Sequence, residues 1–253
     1  LLLVEDNQIN QQVVCGILAK LGINNVDVAE HGVEALQSLG KRRKGYDLIL
    51  MDIQMPLLNG REATKIIRET KTKYQKIPII AMTAHALEEE RQKCFEVGMN
   101  DFLTKPLEIE KMFVALSKYI DIVSVSVKDD GVSAFSVDFL DTKIGMKNLG
   151  NDEGLYLEVL YSFLVDYKEY ETSLEHIFQM DEKDDLLLEV HTIKGLAATI
   201  GAMNLQKLAE QFEVKLKDGL YDSDSFLPFL KSFSDLISKL DNYFKHNPFV
   251  EEK

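Results

Sequence analysis

Five side chains in the first half of the 253-residue sequence, Glu5, Asp6, Asp52, Thr83 and Lys105, are of types that together handle phosphoryl groups. Each follows or closes a short apolar run. If those runs are parallel strands, their carboxyl ends point the same way and the five side chains converge on one crevice. Three carboxylates gathered there repel one another unless a divalent cation that prefers oxygen lies between them, and Mg2+, or Mn2+ in its place, suits the donor set. With the metal and Lys105 offsetting charge, Asp52 becomes a nucleophile toward phosphorus and the Thr83 hydroxyl can hold a phosphoryl oxygen, so that the product is an acyl phosphate. Taken singly, each residue has a plainer reading, since an acid at a loop start often caps a helix or faces solvent. An acid pair, an Asp, a Thr and a Lys-Pro at successive strand ends, in this order, favour the crevice.

A second constellation lies in HTIKGLAATIGA, His191 to Ala202. On a helix, Lys194 and Gly195 stand one turn beyond His191 and flank its ring. Glycine inside a helix costs about 1 kcal/mol relative to alanine, and close approach of another protein surface to the imidazole would offset that cost. Leu186, Val190, Ile193, Ala197 and Ile200 gather on the opposite side as a core stripe, which turns His191 outward. Leu187, Leu188 and Ala198 fall on the histidine side and, with Gly195, form an apolar collar suited to docking. Imidazole is nucleophilic near neutral pH, and Lys194 can screen a phosphoryl charge. A lone helix histidine is usually structural or simply exposed. His31, His85, His176 and His246 lack the Lys-Gly pair and carry no chemistry in this reading.

Two kinds of element must position these groups. In the first half, Leu1 to Val4, Val26 to Ala29, Asp47 to Met51, Ile77 to Met82 and Asp101 to Leu103 read as strands. Helical spacing fills the intervals, near Gln8 to Leu21, Gly32 to Leu39, Gly60 to Thr70, Leu87 to Val97 and Leu107 to Tyr119. This alternation predicts an α/β, doubly wound, five-stranded parallel sheet covered on both faces. From Ser136 the strand signals stop. Helices are expected near Asp138 to Leu149, Glu153 to Met180, Lys183 to Ile200, Leu205 to Lys217 and Ser223 to Phe244, broken at Gly150-Asn151, Gly201 and Gly219. Short connections between long helices predict an all-α antiparallel four-helix bundle. The expected division is therefore a domain over 1–121, a linker over 122–135 and a second domain over 136–253. Val123, Val125 and Val127 alternate with Ser124 and Ser126, so the linker reads as exposed chain or a short extended strand.

Composition narrows the partners. Residues 1–123 hold 16 Lys and Arg against 17 Asp and Glu, whereas residues 124–253 hold 13 against 25, so nearly all of the net charge of −13 sits in the second half. An acidic bundle repels phosphate backbones, which points away from nucleic acid and toward protein partners. No apolar run approaches the roughly 20 residues that cross a membrane, so no membrane contact is expected. Cys15 and Cys94 lie far apart without a second thiol or histidine at metal spacing, and read as free thiols suited to a reducing cytoplasm. The sequence opens on Leu1 without a signal-like leader and reads as a fragment.

The quoted residues also carry a resemblance. VEDN at Val4 to Asn7, LMDIQMP at Leu50 to Pro56, Asn59-Gly60, MTA at Met82 to Ala84 and TKP at Thr104 to Pro106 resemble the response-regulator receiver domain over residues 1 to about 121. That resemblance implies a flavodoxin-like strand order of 2-1-3-4-5 and Asp52 as phosphoacceptor. It further implies that Glu5, Asp6 and the Gln54 backbone carbonyl hold Mg2+, that Thr83 and Lys105 contact the phosphoryl group, and that Phe102 is an aromatic switch with Thr83. Leu58, where Met or Asp is commoner, and a first strand clipped at its start depart from the pattern without touching the crevice. The H-x-x-K-G motif at His191 makes residues 137 to 243 similar to the histidine phosphotransfer domain, in which that histidine is phosphorylated.

The order of the two resembles the C-terminal end of hybrid sensor histidine kinases. It implies a relay from an upstream transmitter histidine to Asp52, to His191, and onward to an aspartate of a separate response regulator. No ATP-binding glycine boxes occur here, so any kinase chemistry belongs to a parent chain, whose cytoplasmic part beside an inner membrane this fragment would be. Two alternatives stand beside the relay. One is a phosphorylation-switched binding module without onward transfer. The other is an Asp-nucleophile phosphatase, which the absence of an acid two residues after Asp52 disfavours.

Overall fold

The computed structural model describes residues 1–42, 44–83, 88–122 and 135–249, and the chain divides into two compact units, Leu1–Lys128 and Asp129–Lys253. Nearly all of the expected linker, including the alternating valines, lies outside the described residues, as do Ala84 and His85.

The first unit alternates β1 (Leu2–Val4), α1 (Gln8–Lys20), β2 (Asp27–Ala29), α2 (Gly32–Lys41), β3 (Ile49–Asp52), α3 (Gly60–Glu69), β4 (Ile79–Thr83), α4 (Glu88–Glu96), β5 (Asp101–Thr104) and α5 (Ile109–Leu116). The five strands form one parallel sheet in the order β2-β1-β3-β4-β5, as expected. β1, β3 and β4 are buried along their whole length, which is why they read as unbroken apolar runs rather than alternating ones. Pairing of Leu3 with Leu50 and of Asp52 with Met82 sets the strand ends level, so the residues following β1, β3 and β4 emerge at one edge. β3 and β4 each reach one residue past the expected end, taking Asp52 and Thr83 into the ladder itself.

Helix starts are specified locally. The Asn7 side chain accepts from the Asn10 amide to cap α1, the His31 ring nitrogen accepts from the Glu34 amide to cap α2, and Asn59 with Glu62 forms a capping box on α3. The apolar stripes of the helices meet the sheet, with Ile67, Ala63 and Ala35 joining Met51, Ile79 and Ala81 in one core cluster.

The second unit holds α6 (Thr142–Asn148), α7 (Glu153–Tyr167), α8 (Glu171–Gln179), α9 (Lys183–Ile200), α10 (Met203–Asp218) and α11 (Ser223–His246). The expected single helix over 153–180 is thus two helices, broken at Lys168 to Tyr170. No Gly or Pro marks the break, so apolar periodicity runs through it. The bend lets the Tyr170 ring meet Tyr167 edge-on at 5.2 Å, and Tyr167 meets Phe233 of α11 at 6.0 Å. α7 and α8 together form one member of the bundle, packing on α9 and α11, while α10 packs on α9 and α11; α6 is shorter than expected and lies across α7 and α9. α9 and α10 end where glycine was expected to end them, at Gly201 and Gly219, both left-handed. Among the described residues no helix is long and apolar enough to cross a membrane.

Candidate functional site

The sheet brings all five residues of the first constellation to its carboxyl edge. Glu5 and Asp6 follow β1, Asp52 ends β3, Thr83 ends β4, and Lys105 follows β5 ahead of a cis peptide to Pro106. Lys105 Nζ donates to Glu5 Oε2 at 2.7 Å and to Asp52 Oδ2 at 2.6 Å, so one cation bridges two acids from different strands. The Lys105 backbone N–H donates to the Thr83 carbonyl at 2.7 Å, which ties β5's exit to β4. Asp52 Oδ1 accepts from the Gln54 N–H at 3.2 Å.

Burial sets the electrostatics. Glu5 has no exposed surface, and Asp52 and Thr83 are buried. Desolvation first, then the Asp52 charge, push the Glu5 carboxyl up to about 8 and the Asp6 carboxyl up to about 6. For Lys105, burial opposes the charge, but Asp52 and Glu5 outweigh it and raise its pKa. A carboxylate oxygen from each of Glu5, Asp6 and Asp52 lies within 4.8 Å of the others. Three oxygen donors at this spacing, two of them held above the usual carboxylate range, fit a hard divalent cation.

A close backbone approach fixes Asp52 from below. A Cβ on Gly60, the first residue of α3, would stand 2.0 Å from the Asp52 carbonyl oxygen. Only glycine lets α3 begin directly against the end of β3. Phe102 lies half-buried in β5, edge-on to Phe95 at 6.5 Å and under the Arg91 guanidinium at 5.0 Å. Of the two cysteines, Cys94 is buried and Cys15 half-buried, and both are free.

In the second unit His191 sits midway along α9, and its Nδ1 lies 2.8 Å from Glu213 Oε1 on α10. Lys194 Nζ bonds the other oxygen of Glu213, and Lys217 Nζ donates to Oε1 at 2.8 Å. Burial alone would raise the Glu213 carboxyl; the bonds from His191, Lys194 and Lys217 outweigh it and hold the group well below the usual carboxylate range. A carboxylate on Nδ1 favours the tautomer protonated there, which puts the ring's lone pair on Nε2.

Three expectations for this site change. The His191 side chain is 12% exposed, so it is largely covered rather than standing clear of the bundle. Lys194 does not flank the ring as a separate cation but is buried against Glu213. Ala198 is buried and its carbonyl accepts from Asn148 of α6 at 3.1 Å, because α6 packs over that end of α9; it is withdrawn from the collar. Leu187, Leu188 and Gly195 remain partly exposed, and a Cβ on Gly195 would meet nothing within 4 Å. The core stripe of Leu186, Val190, Ile193, Ala197 and Ile200 is buried as expected.

Glu213 was not singled out from the sequence, although a signal existed. It falls among Leu205, Ala209, Phe212 and Leu216, the buried residues of α10, where an acid is out of place unless paired. The other histidines have ordinary surroundings where described: His31 caps α2, His176 is exposed, and His246 Nδ1 lies 2.8 Å from the Asn242 carbonyl.

Comparison with known proteins gives two family matches, a response regulator receiver domain over residues 1–117 and an Hpt domain over residues 158–242. The signal transduction histidine-protein kinase BarA of Escherichia coli K12 is 26% identical over 246 residues, covering 94% of this chain and 26% of BarA. The aerobic respiration control sensor protein ArcB of the same organism is 30% identical over 221 residues, covering 84% of this chain and 27% of ArcB. The chain thus spans about a quarter of the length of these two relatives. Among solved structures, the receiver domain of a sensor histidine kinase from Pseudomonas aeruginosa PAO1, which has magnesium coordinated in its active site cleft, is 41% identical. It covers 47% of this chain and 93% of that chain, with a TM-score of 0.42. A receiver domain followed by an Hpt domain, matching the receiver–Hpt region of hybrid histidine kinases, places this chain among the proteins of phosphorelay signal transduction.

Proposed function

We propose that Asp52 and His191 are successive carriers of one phosphoryl group. An Asp52 carboxylate oxygen attacks the phosphorus of an upstream phosphohistidine as the P–N bond breaks, giving an acyl phosphate. His191 Nε2 then attacks that phosphorus as the bond to Asp52 breaks, and the carboxylate is regenerated. The same exchange in reverse delivers the group to an aspartate of a downstream response regulator.

The observation that carries this reading is Lys105 Nζ bridging Asp52 and Glu5 at 2.6 and 2.7 Å beside Asp6, a pocket built for developing negative charge. Glu5, Asp6, Asp52 and the Gln54 carbonyl would hold Mg2+ or Mn2+, which when bound offsets the charge of the incoming phosphoryl group. Lys105 and Thr83 orient its oxygens, and Thr83 with Phe102 relays occupancy to the surface around α4. Glu213 holds the His191 ring, and Lys194 steadies Glu213. Leu187, Leu188 and Gly195 form the face on which a receiver docks.

The donor is the transmitter domain of a histidine kinase, in the same parent chain or another, and the setting is the cytoplasm. The test is transfer of label from a phosphorylated transmitter through the chain to a response regulator. Asp52→Asn should block uptake from the transmitter, and His191→Gln should allow Asp52 to be labelled but pass nothing onward. Onward transfer by the His191→Gln chain would sink the reading.

A further inference from the structure

Asn10 reaches the acidic cluster from α1. It is the third residue of α1, and its backbone N–H is already satisfied by the Asn7 cap at 3.0 Å. Its side chain does not turn back to the helix start; instead Asn10 Nδ2 donates to Glu5 Oε1 at 2.7 Å. The neighbouring Gln11 donates from Nε2 to the Glu5 carbonyl at 2.8 Å.

Other helices of the chain use this position differently. In α3 the third residue, Glu62, returns to the Asn59 N–H, and in α11 Ser225 returns to the Asp222 N–H, each closing its own capping box. In α2 the third residue is again an acid, Glu34, which accepts from the Glu30 N–H at 2.8 Å. An acid at this position of α1 would set a fourth carboxylate beside Glu5, Asp6 and Asp52. Asn10 instead offers a neutral donor to the one acid of the three that has no exposed surface.

Glu5 has two oxygens, and they are held from opposite partners, Oε2 by Lys105 and Oε1 by Asn10. Lys105 competes with a cation for the carboxylate through its charge. Asn10 carries no charge, so it fixes the rotation of the carboxylate without opposing a metal. Resting on the metal reading of the pocket given above, we infer that Asn10 is a positioning residue for Mg2+, acting through Glu5.

The test is titration of the full chain with MgCl2 alone, without phosphodonor, followed by backbone amide NMR shifts. Asn10→Ala, which suits a helix and removes only the donor, should raise the half-saturating Mg2+ concentration by roughly tenfold to a hundredfold. Its unfolding transition in EDTA should stay cooperative, which shows that the variant still folds. Asn10→Gln, which keeps the carboxamide, should recover most of the affinity. An Asn10→Ala chain that binds Mg2+ within twofold of the parent overturns the inference, as does an Asn10→Gln chain no better than Asn10→Ala. Failure of the parent chain itself to bind Mg2+ would instead overturn the metal reading on which the inference rests.

Discussion

His191 Nδ1 and Glu213 Oε1 lie 2.8 Å apart, joining residues 22 positions apart on two antiparallel helices. The same carboxylate holds Lys194 and Lys217, so one buried acid collects one imidazole and two ammonium groups. It orients the nucleophile and ties α9 to α10 at once.

Glu213→Ala should therefore fail in two ways. Removing one partner of a buried pair and stranding Lys194 costs about 3 to 5 kcal/mol of stability. Loss of a charge-assisted bond of about 1.5 to 3 kcal/mol in the transition state slows phosphorylation of His191 by roughly tenfold to a hundredfold. Glu213→Gln keeps an acceptor for Nδ1 and should retain more activity than Glu213→Ala. Single-turnover transfer from phosphorylated Asp52, with denaturant unfolding alongside, separates the two effects; equal rates for Gln and Ala would refute a role in ring orientation.

The Glu213 carboxyl also sets an acid limit for the second unit. Its pKa is lowered in the fold, so as pH falls the unfolded chain takes up a proton there first. The stabilisation is complete above the unfolded carboxylate value of about 4.3 and is lost as pH falls through the lower folded value. Urea midpoints of the second unit should decline between about pH 5 and pH 3, and Glu213→Gln should flatten that decline.

In the first unit the sign reverses. The Glu5 and Asp6 carboxyls are raised to about 8 and about 6, so without metal the folded unit binds more protons than the unfolded chain. Its stability should fall as pH rises from about 4.5 toward 8. Mg2+ must displace those protons, so the half-saturating Mg2+ concentration should drop across pH 6 to 8. A pH-independent Mg2+ affinity over that range would contradict the buried acidic cluster.

Gly60 and Gly195 are both glycines near a site, and they should respond oppositely to substitution. Gly60→Ala drives a methyl into the Asp52 carbonyl and should cost about 1 to 3 kcal/mol while impairing uptake of phosphate at Asp52. Gly195→Ala points into open space and should gain up to about 1 kcal/mol of helix stability. Gly195→Leu should fold as well as the parent yet slow phosphorylation of His191 at least about tenfold if a receiver docks there. Thermal midpoints paired with transfer rates decide both, and an active Gly195→Leu chain would place the docking face elsewhere.

Much was legible in the residues themselves. Buried parallel strands read as continuous apolar runs because both faces are covered, and a parallel sheet necessarily collects its strand ends. That is why Glu5, Asp6, Asp52, Thr83 and Lys105 could be grouped before any coordinates. Gly201 and Gly219 marked helix ends because both take the left-handed conformation, which glycine adopts without steric cost. The break between α7 and α8 left no such mark, since neither Lys168 nor Tyr170 leaves the right-handed helical region at the caps.

What the tertiary structure alone decided are pairings between distant residues. Helical period places His191 and Lys194 on one face but is silent about which residue of another helix meets them, so Glu213 and the burial of Lys194 emerged only from the packing of α9 on α10. The cover that α6 lays over Ala198, and the reach of Asn10 back to Glu5, likewise depend on where chain segments cross. Local pattern encodes which face of an element is apolar; the partner on the other side is fixed by the fold as a whole.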